Sequence, residues 1–487
     1  MKLGALLTAL EEFELIGAID VDINGIAYDS KNVKPGYLFA ALPGQNAHGL
    51  QFVSEVKEQG AAAILSDSPF DTSLPLVLVP GARYALANLS NRFYGEPSKK
   101  LKLVGITGTN GKTTVSFLVR SIFEAAGILC GLIGTIRYSG EQFSKRSAMT
   151  TPESVDLQKL LIQFLEEGSG ACSMEVSSQG LDQHRVTGCT FEVGIFTNLT
   201  QDHLDYHQTM ERYFQAKRML FDPKYCDTKL SVINGDDPYG RSIIEFRNSK
   251  KLSSVSYGFE NDVDYRITFW QSTMNGTQIV IRNRGHDETI QTPLIGKYNV
   301  YNVAAAYASM ASLNIDINAI VEGIQKMTYI PGRLERLDLG QPFNIILDYA
   351  HTEDAFRQLL PTLRECTAGR IIHIFGCRGE RDALKRPLMG QASAELADVL
   401  IVTSDNPVHE DPEQIANDIK SGIDLNQNPN VHTIVDRGEA IAFAVSLAKP
   451  EDTIVITGKG NETYQLIGDE KLHHDDREFF QAALALD

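Results

Sequence analysis

Positive charge is in short supply in this 487-residue chain: 45 lysines and arginines face 62 aspartates and glutamates, a formal net charge of −17 at pH 7. An acidic surface repels phosphate backbones and anionic lipid, so nucleic acid is not an expected partner and any polyanionic substrate must be met by local groups. No apolar run is long enough to span a bilayer. The opening "MKLGALLTALEEFEL" is interrupted by Glu11 and Glu12 and is followed by no cleavage-like segment, so it reads as an amphipathic helix, without membrane insertion. The six cysteines, at 130, 172, 189, 226, 366 and 377, form no CxxC pair and no metal-finger spacing. Several sit in apolar stretches such as "GACSMEV", which points to a reduced, cytoplasmic protein. Low-complexity segments and short repeats are missing too.

What is present is an ordinary globular composition, 43% hydrophobic, in a chain too long for one core. A prior of roughly 150 residues per domain suggests about three domains. Strand and helix patterns alternate nearly throughout, which favours α/β layers with mainly parallel sheets. The connector "NRFYGEPSKK" separates a first domain, residues 1–98, from the strand "LKLVGI" of a second. Pro331 and Gly332 in "MTYIPGRLE" break a helix and mark the next boundary, giving domains 99–331 and 332–487. Beyond it, strands run into polar loops in "FNIILDYAH", "RIIHIFGCRGERD", "DVLIVTSDNP" and "DTIVITGKGNE". Ligands of open parallel sheets sit beyond the carboxyl ends of strands, so these loops are where chemistry is expected.

The stretch "LVGITGTNGKTT" reads as a strand over 103–106, a tight turn over 107–111 and a helix from 113. It misses the strict Walker spacing, since five residues separate Gly105 from Gly111 and Ile106 fills the position required of the first glycine. Backbone N–H groups and a helix dipole would nonetheless converge there on an anion. Lys112 adds charge, and the Thr113 hydroxyl suits the magnesium that accompanies a triphosphate. Glu175 closes the strand "ACSMEV", where a carboxylate can reach that metal. His203 follows "FEVGIFTN" beside Asp202 and Asp205. Taken alone, His203 reads more readily as a structural or surface histidine than as a ligand and a strand-end glutamate as a solvated group, and their joint placement after successive strands brings the metal reading level with these. In "YFQAKRMLF", Lys217 falls on the apolar face marked by Tyr213, Phe214, Leu220 and Phe221. It either snorkels, which spacing alone favours, or is desolvated into a nucleophilic amine that can take up carbon dioxide as a carbamate.

Together "GITGTNGKTT", "MEVSSQGL", "NLTQDHLDYH", "YFQAKRMLF", "GKYNVYN", "PGRLE", "DYAHT", "DNPVHEDP" and "GKGNE" resemble the Mur ligases of peptidoglycan synthesis, over nearly the whole chain and in the family's order. Within the family the resemblance is to the branch that adds the third peptide residue. It implies a small N-terminal α/β domain that binds UDP, a central P-loop-like ATP-binding domain and a C-terminal Rossmann-like domain for the amino acid. The shifted loop spacing is the form this family uses. By resemblance, Gly108, Thr109, Asn110, Gly111, Lys112, Thr113 and Thr114 cradle ATP, with Asn302, Arg333, Asp348 and His351 on the nucleotide. Thr113 and Glu175 would hold one Mg²⁺, and His203 with Lys217 as N6-carboxylysine a second, which reverses the reading of that lysine from spacing. Lys112, Lys217, His203 and Arg333 are the implied catalytic residues. The third domain would complete the site on closing.

The resemblance further implies a UDP pocket at Ser30 and the turn Gln45, Asn46 and Ala47, although "DSKNVKPG" would pass as a plain polar turn. Thr150, Thr151, Ser177, Gln183 and Arg185 resemble the muramoyl-dipeptide contacts. The substrates implied are UDP-N-acetylmuramoyl-L-alanyl-D-glutamate, ATP and a diamino acid, acted on by a monomeric ligase. The amino acid would lie among Arg381, Asp405, Asn406, Pro407, Val408, Gly458 and Glu462. Family members that use meso-diaminopimelate carry an arginine after "DNP", where this chain has Val408. Valine offers no donor to a second carboxylate, so L-lysine is favoured, its ammonium met by Asp405 or Glu462. The alternatives are L-ornithine, or diaminopimelate with His409 or another basic group replacing the arginine. A nucleotide-gated binding module without catalysis is a further alternative, against which the intact Lys112, Glu175, His203 and Lys217 argue.

Overall fold

The computed structural model describes residues 1–44, 48–327, 329–428 and 430–485. It divides into two compact units: residues 1–268, 281–288 and 301–324 form one, and residues 269–280, 289–300 and 325–487 the other. Among the described residues no helix is long and apolar enough to cross a membrane.

The first unit contains two sheets. In the smaller, the strands Gly25–Ala27, Tyr37–Ala40, Ala63–Ser66 and Leu76–Leu78 are parallel, and Glu14–Ile16 closes one edge antiparallel to Leu76–Leu78. The amphipathic N-terminal helix is shorter than the sequence suggests. It ends at Leu7, with Leu3, Leu6 and Leu7 buried, because the chain must turn before Glu14 to pair in that sheet. Glu11 and Glu12 therefore lie outside the helix.

The larger sheet places Lys102–Thr107 between Ala171–Glu175 and Thr190–Phe196, all parallel, with Cys130–Ile133 beyond the former and Asp227–Asn234 beyond the latter. Strands buried on both faces read as continuous apolar runs, as "LVGI" and "ACSM" do. Registers of Glu175 with Ile106 and Phe196 with Thr107 bring three strand ends level, so the loops after them share one edge. The six cysteines are unpaired and all but Cys366 are buried, which pushes the Cys130 and Cys377 thiols up to about 12.

In the second unit, Asn344–Leu347, Thr453–Ile456, Ile371–Phe375, Val399–Val402 and Val431–Thr433 form a parallel sheet, with Glu335–Leu337 antiparallel at its edge. The period of two sorts its side chains between two cores. Ile346, Ile371, Phe375, Leu400 and Val402 pack with the helices Glu353–Cys366, Lys385–Leu396 and Pro412–Lys420. Ile345, Leu347, Ile372, Ile374 and Ile401 pack with Arg437–Leu447 and Asp476–Leu484. His373 is buried and hydrogen-bonded at both nitrogens, to Ser393 and Thr457, and burial pushes it down to about 3, so it stays neutral.

The two helices of that second face are joined by a buried ion pair. Arg437 Nη2 lies 2.8 Å from Asp476 Oδ2 and also donates to the Thr457 carbonyl at the end of a central strand. Burial alone would raise the Asp476 carboxyl, but the Arg437 charge and its hydrogen bonds hold it well below the carboxylate range. Its contribution is therefore complete above about pH 4, the ordinary carboxylate value, and is lost as pH falls further. Removing one partner of such a pair costs about 3–5 kcal/mol. Asp476→Asn should lower the unfolding free energy of the full chain by that order in urea titration at pH 7; an unchanged midpoint would contradict the assignment.

Candidate active site

The strand Lys102–Thr107 ends in a loop that only glycine allows. Gly108 has φ +148°, and a Cβ there would stand 1.9 Å from Thr197 Oγ1. Gly111 has φ +86°, and its Cβ would meet Asn302 Oδ1 at 2.3 Å. The neighbouring strand end clamps the loop: Thr109 N donates to Asn198 O at 2.9 Å, Asn110 N to Asn198 Oδ1 at 3.0 Å, and Thr197 Oγ1 to Asn110 O at 2.6 Å. The helix Lys112–Ala125 starts at once, with Thr113 and Thr114 buried in its first turn. Its leading N–H groups and dipole favour an anion at the loop. Loop, helix start and Asn302 thus meet at one place.

Two lysines share one carbonyl at this loop. Lys112 Nζ donates to Gly108 O at 2.9 Å and to Thr109 O at 2.7 Å, and Lys217 Nζ donates to Gly108 O at 2.7 Å. Lys217 is 1% exposed, with Nζ 4.5 Å from the centre of the Tyr213 ring. The snorkelling that its spacing favours does not occur, because its helix packs against the loop rather than along the surface. Burial, and then the Lys112 charge, push its pKa well below the usual lysine value. Tyr213 ties the arrangement together, its hydroxyl 3.1 Å from Thr109 Oγ1.

Glu175, 1% exposed, accepts from Thr113 Oγ1 at 3.0 Å and from Thr135 N and Oγ1 at 2.8 and 3.0 Å. A buried carboxylate held only by neutral donors, with a threonine hydroxyl against it, suits a hard cation that keeps several waters and a phosphate oxygen. The second expected metal set is less assembled. His203 (φ +53°) is half-exposed, faces Asp202 at 3.5 Å and has its ring 6.2 Å from that of Tyr213. Among the described residues no three His, Cys, Asp or Glu side chains surround a common point.

The expected dipeptide residues form one network. Thr135 Oγ1 lies 3.1 Å from Thr150 Oγ1, and Thr151 Oγ1 donates to Glu175 O and lies 3.1 Å from Ser177 Oγ. Arg185 donates to Thr151 O at 2.8 Å and to Gln183 Oε1 at 2.6 Å, and also faces Glu153. No hydrogen bond among the described residues joins Ser30 to this set; it sits in the short turn Ser30–Asn32. Gln45, Asn46 and Ala47 lie outside the described residues.

In the second unit, Asp348 accepts from Leu334 N and Ala350 N, both at 2.7 Å. Burial pushes its carboxyl up against the opposing charge of Arg333. The Arg333 guanidinium lies 4.8 Å from the Tyr349 ring centre, and His351 is exposed, its Nδ1 against Tyr349 O. Asp405, Asn406 and Glu462 gather around Lys459, which is fully buried: its Nζ lies 3.6 Å from Asp405, 3.8 Å from Glu462 and 2.9 Å from Asn406 Oδ1. Gly458 adjoins Asp405, since a Cβ there would stand 2.6 Å from Asp405 Oδ2. Pro407 and Val408 continue the same loop, and Val408 N donates to Leu466 O. Arg381 is exposed. The two carboxylates expected to await a lysine ammonium thus already share one inside the protein.

Sequence reasoning missed Thr135, Asn198, Tyr213 and Lys459. Lys459 stood in the quoted "GKGNE", and Asn198 closed the quoted "FEVGIFTN", so both could have been weighed as strand-end polar groups.

Three family models match the chain: Mur ligase family, catalytic domain over residues 22–94, Mur ligase middle domain over 106–310, and Mur ligase, glutamate ligase domain over 332–460. The UDP-N-acetylmuramoyl-L-alanyl-D-glutamate--2,6-diaminopimelate ligase of Geobacillus thermodenitrificans is 40% identical, with 99% of each chain covered. A protein of Clostridium acetobutylicum named as a second such ligase is 42% identical over 98% of this chain and 99% of its own. A solved structure of a ligase with the same name superposes with a TM-score of 0.76 at 32% identity, covering 100% of this chain and 99% of that one. With this likeness running from end to end, and loop, carboxylate and lysines where the fold brings them together, the chain belongs to the Mur ligase family and is an enzyme of that kind, a ligase.

Proposed function

We propose that the chain joins 2,6-diaminopimelate to the D-glutamate side-chain carboxylate of UDP-N-acetylmuramoyl-L-alanyl-D-glutamate, driven by ATP. The observation that carries this reading is Thr135, whose hydroxyl donates to Glu175 at 3.0 Å and lies 3.1 Å from Thr150 Oγ1. The residues assigned to phosphate and those assigned to the dipeptide meet at that side chain, as transfer of a phosphoryl group to a carboxylate requires.

A carboxylate is a poor acyl donor. Its oxygen attacks the γ-phosphorus of ATP, ADP leaves, and the resulting acyl phosphate is attacked by the amine of the amino acid. An amide forms, phosphate leaves and the amine gives up a proton. The loop from Gly108 to Thr114 holds the phosphates with backbone N–H groups, and Lys112 leaves the Gly108 and Thr109 carbonyls to follow the transferring charge. Arg185 and Thr151 orient the dipeptide. Mur ligases use ATP and Mg²⁺; magnesium held by Thr113 and Glu175 would neutralise phosphoryl charge when bound. Lys217 suits carbamylation, because a neutral amine reacts with carbon dioxide and both its burial and Lys112 favour the neutral form. The anionic carbamate would pair with the Lys112 charge beside it and give His203 a partner in holding a second magnesium.

For the amino acid, the relatives named above favour diaminopimelate over the L-lysine expected from Val408. Asp405 and Glu462 share Lys459, and the one charge left over suits the distal ammonium of diaminopimelate as well as that of lysine, so these carboxylates do not favour lysine.

Lys217→Ala should fold normally and lose about 100-fold or more in kcat, with partial recovery in formate or acetate as a small carboxylate fills the vacated site. Full activity without additive would remove Lys217 from the mechanism. In a direct comparison of kcat/KM, meso-diaminopimelate should exceed L-lysine and L-ornithine by about 100-fold or more. A preference for either of the shorter substrates would overturn the assignment.

A further inference from the structure

The cations at the carboxyl edge of the second unit's sheet are mostly matched. Lys459 is held by Asp405 and Glu462, Arg386 by Glu410 and Asp418, and His409 by Glu380 and Asp469. Lys385 donates to the His351 carbonyl. Two arginines after the strand Ile371–Phe375, Arg378 and Arg381, make no hydrogen bond and no ion pair among the described residues, and of these Arg381 is exposed while Arg378 is partly buried. Taking a guanidinium partly out of water without an acceptor is unfavourable, and an arginine so placed is suited to a planar anion that arrives with a ligand.

Its position fixes which ligand. The strand Ile371–Phe375 runs into the loop that carries Arg378, and the glycines around it lie against the backbone of "DNPV". A Cβ on Gly376 would stand 2.8 Å from Asp405 N, and one on Gly379 1.9 Å from Pro407 O. Gly379 N donates to Asn406 O at 2.9 Å. Arg378 is therefore pinned beside the loop whose Val408 offers no charge. Val408 spends its backbone on Leu466 O and Gly468 N at φ +54°, and His409 is already paired.

We propose that Arg378 recognises the distal carboxylate of the incoming diamino acid, a specificity-determining guanidinium that does from the neighbouring loop what the side chain at Val408 does not. Asp405 and Glu462 outnumber Lys459 by one charge, which leaves the same end of the site able to take the distal ammonium. A zwitterionic terminus satisfies both groups, whereas L-lysine leaves Arg378 without a partner. The inference rests on the reading of diaminopimelate as substrate.

The test is steady-state kinetics of Arg378→Ala and Arg378→Gln with meso-diaminopimelate and with L-lysine. The KM for diaminopimelate should rise about 10- to 100-fold, the loss of one charged hydrogen-bonded pair, with kcat and the KM for ATP and the UDP-dipeptide near wild type. Activity with L-lysine should be unchanged or higher, so that discrimination narrows. Equal losses with both amino acids, which a structural role would give, or an unchanged KM for diaminopimelate in both variants, would overturn the proposal. A wild-type enzyme that prefers lysine would overturn it through the substrate reading instead, and that result is visible before any substitution is made.

Discussion

One carbonyl oxygen organises the catalytic half of this protein. Gly108 turns the chain out of the central strand at a backbone angle open only to glycine, and its carbonyl receives both Lys112 and Lys217. Two ammonium groups on one acceptor repel each other, and the one that is buried loses. Lys112 stands at the start of the helix that follows the loop, while burial first and the neighbouring Lys112 second drive Lys217 toward the neutral amine. A side chain on Gly108 would collide with Thr197 and displace the carbonyl, and both lysines would lose their anchor.

The sheets do the positioning. Parallel strands in register deliver Thr107, Glu175 and the segment after Phe196 to one edge, so residues about 70 to 90 positions apart along the chain become neighbours without any long loop. The second unit repeats the device with four strand ends, which bring Asp348, Arg378, Asp405 and Gly458 to one edge. The buried Arg437–Asp476 pair fastens the helices beneath that edge and reaches the Thr457 carbonyl just before "GKGNE".

Much of this was legible in the sequence because it is local. A strand, a glycine turn and a helix start are written in consecutive residues, and Glu175 sits at the end of its strand as the pattern "ACSMEV" suggests. What the sequence concealed depends on contacts between distant segments. Periodicity put Lys217 on an apolar face, but nothing near it announces that a carbonyl 109 residues earlier is already bonded to another lysine. Asp405 and Glu462 looked available because Lys459, which engages them, was read as part of a glycine-rich motif rather than as a charge. The N-terminal helix failed differently, its apolar pattern continuing to Leu10 while strand pairing at Glu14 forces an earlier turn.

The central claim is that the phosphate loop and the dipeptide network joined by Thr135 serve a single step, transfer of phosphate to the D-glutamate carboxylate. The most direct measurement is isotope transfer from UDP-N-acetylmuramoyl-L-alanyl-D-glutamate labelled with oxygen-18 in that side-chain carboxylate, turned over with ATP and diaminopimelate. The account predicts one labelled oxygen in the inorganic phosphate for each amide formed. Amide formation with all the label retained in the peptide product or lost to water would contradict it.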